Sequence, residues 1–222
     1  MKLSIVMPVL NEAAVVGRTL GALAPLRARG HEVIVVDGGS EDATLGIAAL
    51  LADRVLAAPR GRAAQMNAGA AAAKGDVLLF LHADTVLPVD ADEVVLQAAR
   101  AHAWGRFDVD IEGASPLLAV IGFFMNLRSR LTGVATGDQA IFVRRTDFPG
   151  FPEIALMEDI AFSKSMRRRS PPACLRARAR TSGRRWERRG VLRTVVLMWR
   201  LRLAYWRGAA PDELARRYAK EA

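Results

Sequence analysis

Along the first hundred residues, short apolar runs alternate with longer stretches whose apolar residues recur every three or four positions. "LSIVMPV" (3–9), "EVIVVD" (32–37), "DRVLAAP" (53–59) and "DVLLFLHAD" (76–84) are the short runs, and they predict strands buried on both faces. Between them, "EAAVVGRTLGALAPL" (12–26), residues 43–51, "GRAAQMNAGAAAAKG" (61–75) and "VDADEVVLQAARAHA" (89–103) predict helices. This alternation predicts an α/β fold: a mostly parallel central sheet flanked by helices, Rossmann-like in layout. Ligands of such sheets bind beyond the carboxyl ends of the strands. Those ends read "PVLNE", "DGGSED", "APRGR" and "HADT", so polar and charged groups converge on one rim.

After residue 100 the pattern changes. "GRFDVDIE" (105–112) alternates, with Phe107, Val109 and Ile111 on one face of a half-solvated strand. "SPLLAVIGFFMNLRSRL" predicts a helix with Ser115 as N-cap and Pro116 at its first position. "DQAIFVRR" predicts a strand, "MEDIAFSKSMRRR" a helix and "RGVLRTVVLMWRLRLAYWRG" a long amphipathic helix. The stripe Val191, Val195, Val196, Trp199 and Leu203 of that helix is expected to pack on the protein's own core. "APDELARRYAKEA" predicts a capped terminal helix. No repeat and no Pro/Gly/Ser-rich linker divides the chain, so residues 1–222 are expected to form a single domain.

Composition narrows this picture. The 222 residues are 51% hydrophobic and 25% charged, enough for one well-buried core. The single cysteine, Cys174, excludes an internal disulfide framework and a CxxC redox or metal site. No window reaches the roughly 18 uncharged apolar residues that a membrane span needs. "PLLAVIGFFMNL" is too short, with Arg128 and Arg130 just beyond it. A cytoplasmic protein is the expectation. The net charge of +9 is unevenly placed: residues 1–100 hold 9 basic and 11 acidic side chains (−2), residues 101–222 hold 23 and 12 (+11). Between Lys164 and Arg202 stand 14 basic residues and one acid, Glu187. Such a block is either a solvated face or an approach surface for diphosphate, anionic lipid or nucleic acid.

Three clusters carry candidate chemistry. Asp84, at the end of an apolar strand, either caps the next helix or holds Mg²⁺ or Mn²⁺ with substrate phosphates completing the octahedron. Arg60 and Arg62 precede a helix N-terminus and suit a diphosphate, or else belong to a surface loop. Glu158 and Asp159 open a helix, where they act as dipole partners or supply a general base.

In order and spacing, "IVMPVLNE", "VIVVDGGSEDAT", "NAGAAAAKGDVLLFLHADT", "GDQAIFVRR" and "MEDIAF" resemble the family 2 glycosyltransferases, inverting enzymes of the GT-A fold, across about residues 3 to 169. The tail from "TSGRRWERRG" onward resembles a compact bacterial subgroup associated with arsenosugar biosynthesis and selenium-related clusters. The resemblance implies a donor half in residues 1–100 and an acceptor half with C-terminal helices in residues 101–222. It implies that Asp37 accepts from the donor's nucleobase, that Gly38 and Gly39 let the chain turn beside it, and that Pro8, Val9 and Glu12 line the same pocket. Arg60, Arg62, Asn67, His82 and Ala83 fall on the nucleotide side, and Asp84 matches the metal-holding acid of the family's D-x-D motif. His82 replaces the first acid of that motif, which removes one negative charge from the metal site. Asp159 matches the catalytic base; Asp138, Gln139, Glu158, Arg185 and Trp186 fall near acceptor or diphosphate. "SGRRW" has Ser182 where processive members have glutamine, which argues against polymer synthesis.

The expected function is metal-assisted transfer of a sugar from a nucleotide-diphosphate donor to the hydroxyl of a small or lipid-linked acceptor. Peripheral contact with the inner face of the membrane is compatible with this, and no nucleic-acid partner is expected. Two rivals stand beside it. A sugar-phosphate nucleotidyltransferase would need a glycine-rich first turn, but "PVLNEAAV" has no glycine before Gly17. A non-enzymatic module binding nucleic acid or anionic membrane would rest on the basic block with Trp186, Trp199, Tyr205 and Trp206.

Overall fold

The computed structural model describes residues 1–221, apart from the side chains of Arg185 and Glu221. The chain opens as expected, with strand β1 (Leu3–Val9), β2 (Glu32–Asp37), β3 (Arg54–Ala57) and β4 (Val77–Phe80) pairing in parallel in the order β3-β2-β1-β4. Alternation along each strand feeds two cores. Ile5, Met7, Val33 and Val35 face one side, under helices α1 (Ala13–Ala22), α3 (Thr44–Leu51) and α5 (Ala91–Ala101). Val6, Ile34, Val36, Leu78 and Phe80 face the other, under α4 (Arg62–Ala72) and α7 (Glu158–Arg167). The helix expected over 12–26 is two: α1 ends before Leu23, and α2 (Ala24–Ala28) restarts with Pro25 in its first turn, where its missing N–H costs nothing.

The second half extends the same sheet. Beyond β4 come β7 (Phe142–Arg144, antiparallel), β6 (Trp104–Glu112, antiparallel to β7), β8 (Ala173–Ser182, parallel to β6) and the short β5 (Thr85–Val86, antiparallel to β8). Phe107, Val109 and Ile111 are buried on one face of β6, as the alternation predicts. The strand expected over "DQAIFVRR" contracts to β7, because Gly137–Gln139 coil into a single 3₁₀ turn before it.

Three findings correct the sequence reading. Helix α6 (Leu117–Thr132) begins with Pro116, not Ser115, in the N-cap position and has no side-chain cap. The amides of Ala114 and Ser115 donate instead to the carboxylate of Glu187, brought from helix α8 (Arg184–Arg189). Strand β8 was not foreseen. Its "ACLRARARTS" alternates small residues with Arg176, Arg178 and Arg180, which are exposed, so part of the basic run is the wet face of a strand. Helix α9 (Val191–Trp206) is turned relative to expectation. Thr194, Leu197 and Leu201 are buried, while Val196, Trp199 and Leu203 are exposed. Leu197 and Leu201 pack with Met157, Ile160 and Leu214, so α9 and α10 (Pro211–Glu221) clamp the start of α7. None of the described helices is long and apolar enough to cross a membrane.

Candidate functional site

Carboxylates stitch the tips of β1 and β2 together. Asp37 is buried; its Oδ2 accepts from the amides of Gly39 (2.8 Å) and Ser40 (2.9 Å), and its Oδ1 from the Ser40 hydroxyl (2.5 Å). That turn needs Gly39 at φ 95°, a left-handed conformation that glycine adopts freely. Gly38 donates to the Val9 carbonyl (3.0 Å) beside the Gln65 amide, which itself donates to Val9 and Val36 (2.8 Å each). Asp42 accepts from Ala13 and Thr44, the first residues of α1 and α3, and the Thr44 hydroxyl leads in holding it below the usual carboxylate range. Asn11 ties the two tips through Ser40 and Glu41. Glu12 receives Arg184 of α8 at 2.6 Å, across 172 residues of sequence, so the C-terminal arm closes on the β1 tip.

A cavity of about 1020 Å³ opens next to these loops. Asp84, at the end of the β4 segment, lines it; among the described residues no donor meets the Asp84 side chain, whose backbone carbonyl alone accepts from Ser182. Facing it are Glu158 and Asp159 at the start of α7, together with Arg62, His82 and Asp138. Asp159 accepts from the Gly137 amide (2.9 Å) and the Ile160 amide (2.7 Å). His82 Nδ1 lies 3.2 Å from Asp138 Oδ1, and its ring fills the space a Cβ on Gly137 would need, 2.3 Å from His82 Nε2. A side chain at position 137 would displace the imidazole and its carboxylate together.

Burial, then repulsion from Asp159, push the Glu158 carboxyl above its ordinary value; Arg62, 4.0 Å away, only partly offsets this. The Arg62 side chain lines the hollow and is about half exposed, 47%. Burial pulls its pKa down, and attraction from Glu158, Asp138 and Asp159 raises it by more. Two further cations that sequence reasoning passed over, Arg128 of α6 and Arg202 of α9, reach the same cavity. Three non-glycine residues stand at positive φ: Met157 (73°) lines the cavity, Ala140 (45°) follows the turn that carries Asp138, and Asn11 (53°) ties the β1 and β2 tips. Such backbone strain concentrates where a site is held rigidly.

The structure brings Arg62, His82, Asp84, Asp138, Glu158, Asp159 and Trp186 to this one cavity. Asp37, Gly38, Gly39, Pro8, Val9 and Glu12 gather at the adjoining β1 and β2 tips, outside its lining. Ala83 is buried, its carbonyl accepting from Thr19. Arg60 is exposed in the loop before α4. The Asn67 amide is spent on both backbone groups of Phe151 (2.8 and 2.9 Å), pinning the loop that leads to Met157. Gln139 is buried, accepting from the Thr136 amide (3.2 Å). The side chain of Arg185 lies outside the described residues.

No cluster of three or more His, Cys, Asp or Glu able to cage a metal occurs among the described residues. The donor set fits a different kind of ion: Mg²⁺ and Mn²⁺ are commonly held by one or two carboxylates, with phosphate and water filling the shell. Asp84, unpartnered beside His82 and Asp138, matches that requirement.

A parallel sheet extended by antiparallel strands, with carboxylates gathered at its rim, is the architecture of the GT-A glycosyltransferases. Residues 4–145 match the family described as Glycosyl transferase family 2, and the chain belongs to that family. PGL/p-HBAD biosynthesis glycosyltransferases of Mycobacterium tuberculosis (strain ATCC 25618 / H37Rv) and Mycobacterium bovis (strain ATCC BAA-935 / AF2122/97) are 39% identical over 103 residues. That match covers 43% of this chain and spans 40% of each relative's length. Among solved structures, S. aureus TarS 1–349 superposes with a TM-score of 0.63 at 18% identity, over 88% of this chain and 64% of that one. Glucosyl-3-phosphoglycerate synthase from Mycobacterium tuberculosis, solved with Mn²⁺, UDP and glucosyl-3-phosphoglycerate, gives 0.62 at 21% identity, over 80% and 70%. The divalent cation expected from the sequence agrees with that neighbour. Membership of this family favours an enzyme of sugar transfer over nucleotidyl transfer and over a purely binding module.

Proposed function

We propose that this chain transfers a sugar from a nucleoside-diphosphate donor to an acceptor hydroxyl with inversion at the anomeric carbon. The observation that carries this reading is the meeting of Asp84 and Asp159 on one cavity at the carboxyl rim of the sheet. Asp159, held by the Gly137 amide, is the base that takes the acceptor's proton as the oxygen attacks. Asp84 would hold the divalent ion, which supplies positive charge to the leaving diphosphate. Arg62 stands where it adds to that charge. The nucleotide lies toward the β1 and β2 tips, where Asp37 fixes the shape of its loop through its three turn hydrogen bonds and Arg184 closes on Glu12.

TarS has been solved with UDP-GlcNAc and the mycobacterial synthase with UDP, which supports a UDP-sugar as the first donor to try. Exposed apolar residues of α6 and α9 outside the cavity, Phe123, Val196 and Trp206, support contact with a membrane surface. The resemblance of the tail to the arsenosugar- and selenium-associated subgroup is a proposal about pathway alone.

The test joins binding to turnover. UDP with Mn²⁺ is expected to raise the melting temperature of the wild-type protein and of Asp159→Asn alike. Release of UDP in the presence of acceptor should fall roughly 10²–10⁴-fold in the variant, the usual scale of general-base catalysis. A variant that turns over like the wild type would remove Asp159 from the mechanism.

A further inference from the structure

The cavity that holds Asp84 and Asp159 is also lined by many apolar side chains. Away from the carboxylates it becomes a trough between α6 and α9. Val120, Phe124 and Leu131 come from one helix, Leu192 and Trp199 from the other. Leu131 is 77% exposed and Trp199 74%. Large apolar side chains left wet on two facing helices are costly unless a ligand covers them.

The second observation lies within the same cavity. Arg128 follows Phe124 by one turn of α6, and Arg202 follows Trp199 by one turn of α9. Nε and Nη2 of Arg128 and Nε of Arg202 are buried and have no hydrogen-bond partner among the described residues. Burial lowers the pKa of both guanidiniums, with repulsion from Arg202 adding to the fall at Arg128, which drops to about 10; attraction from Asp159 opposes it at both. Asp159 is the carboxylate common to both. Asp138 also attracts Arg202, but neither acid accepts from the buried nitrogens named above, and buried guanidinium donors normally find acceptors.

We propose that the acceptor is an anionic amphiphile. Its phosphate or carboxylate head lies between Arg128 and Arg202, its hydroxyl reaches Asp159, and its apolar tail lies in the trough between α6 and α9. The assignment rests on the reading of this site as a sugar-transfer site, and it names the class of acceptor. The orphaned guanidiniums select an anion over a neutral head, and the trough selects a tail over a free anion. Attack through the hydroxyl forms the new glycosidic C–O bond and breaks the bond from the anomeric carbon to the diphosphate. The hydroxyl proton passes to Asp159, and the nucleoside diphosphate leaves with its electron pair.

The test is a titration of the full chain, below micellar concentrations, with three probes: decyl phosphate, inorganic phosphate and monodecanoyl glycerol. Tryptophan fluorescence reports binding, and a decyl phosphate brominated along its chain reports contact with Trp199. Decyl phosphate is expected to bind at least tenfold more tightly than either other probe and, when brominated, to quench. Arg128→Gln and Arg202→Gln should each weaken decyl phosphate at least tenfold and leave monodecanoyl glycerol unchanged. Leu131→Glu should weaken both amphiphiles and leave inorganic phosphate unchanged. Inorganic phosphate binding as tightly as decyl phosphate would overturn the tail assignment. Equal binding of the neutral amphiphile, indifferent to both arginine variants, would overturn the head. If UDP with Mn²⁺ stabilises the wild-type protein while decyl phosphate does not bind, the acceptor class fails alone; if UDP with Mn²⁺ has no effect, the transferase reading fails first.

Discussion

At the scale of single residues, what decides a carboxylate's role is which donors the fold brings to it. Asp37, Asp42, Asp84, Glu158 and Asp159 all stand near the same rim, but among the described residues only Asp84 of these is left without a side-chain hydrogen bond or an ion pair. Glu158 is the costly member. Burial and the neighbouring Asp159 raise its pKa above the unfolded value of 4.5. A raised carboxyl pKa means that the folded state prefers the proton. The group's contribution to stability is complete below about pH 4 and is lost as pH climbs through the folded value. Glu158→Gln mimics the protonated form. It is expected to raise the melting temperature near pH 7 and to leave it unchanged near pH 4, in thermal melts of both proteins across that range. A variant less stable than the wild type at neutral pH would mean that the ion pair with Arg62 outweighs the burial cost.

At the scale of elements, α9 shows why a helix face has to be chosen by its neighbours. The helix carries apolar residues on more than one face, at Val191, Val195, Val196, Trp199 and Leu203 and again at Leu197 and Leu201. Periodicity admits either stripe. The one taken inward is the one that meets Met157, Ile160 and Leu214. Leu197→Ala is therefore expected to cost about 2–5 kcal/mol, the usual range for a buried leucine, whereas Trp199→Ala should stay within about 0.5 kcal/mol. Denaturant unfolding of the two variants checks this; a Trp199 variant as unstable as the Leu197 variant would return α9 to the expected face. Strand β8 makes the complementary point. Its period-two pattern of arginine and alanine is present in the sequence, but a run of positive charge suits a solvated surface equally well. The place it fills, between β6 and β5, exists only once the fold brings those two strands to either side of it.

At the scale of the whole molecule, the excess of positive charge is partly neutralised by long-range pairs, which also tie distant segments together. Arg27 meets Asp53, Arg29 meets Asp92, Arg130 meets Asp108, and Arg184 meets Glu12. Arg106 is fully buried, with Ser129 and Asp108 as partners. Asp92 fixes α5 to the end of α2 and the start of β2. Hydrogen bonds from Arg29 lead, burial opposes, and His31 adds to the fall, taking its pKa from 3.8 to about 2. A depressed carboxylate stabilises the fold above its unfolded pKa and loses that contribution as pH falls through the folded one. Here the loss, about 2 kcal/mol, falls between about pH 4 and pH 2. Asp92→Asn should remove that part of the acid sensitivity and lower neutral-pH stability by about the same amount, measurable by urea unfolding at the two ends of the range. An acid limb identical in variant and wild type would place the sensitivity elsewhere.

The sequence by itself determined the layout: β1 and β2 run over the residues the apolar pattern marked, the strand ends place polar groups on one rim, and the order of motifs identifies the family. Those features are local, since alternation, a buried run and a glycine turn depend on neighbours in the chain. Only the tertiary structure decided which face of α9 turns inward, that Glu187 rather than Ser115 serves the start of α6, and that Arg128 and Arg202 meet beside Asp159. Each of these joins residues far apart in the chain, and partners that distant leave no period in either segment until packing brings them into contact.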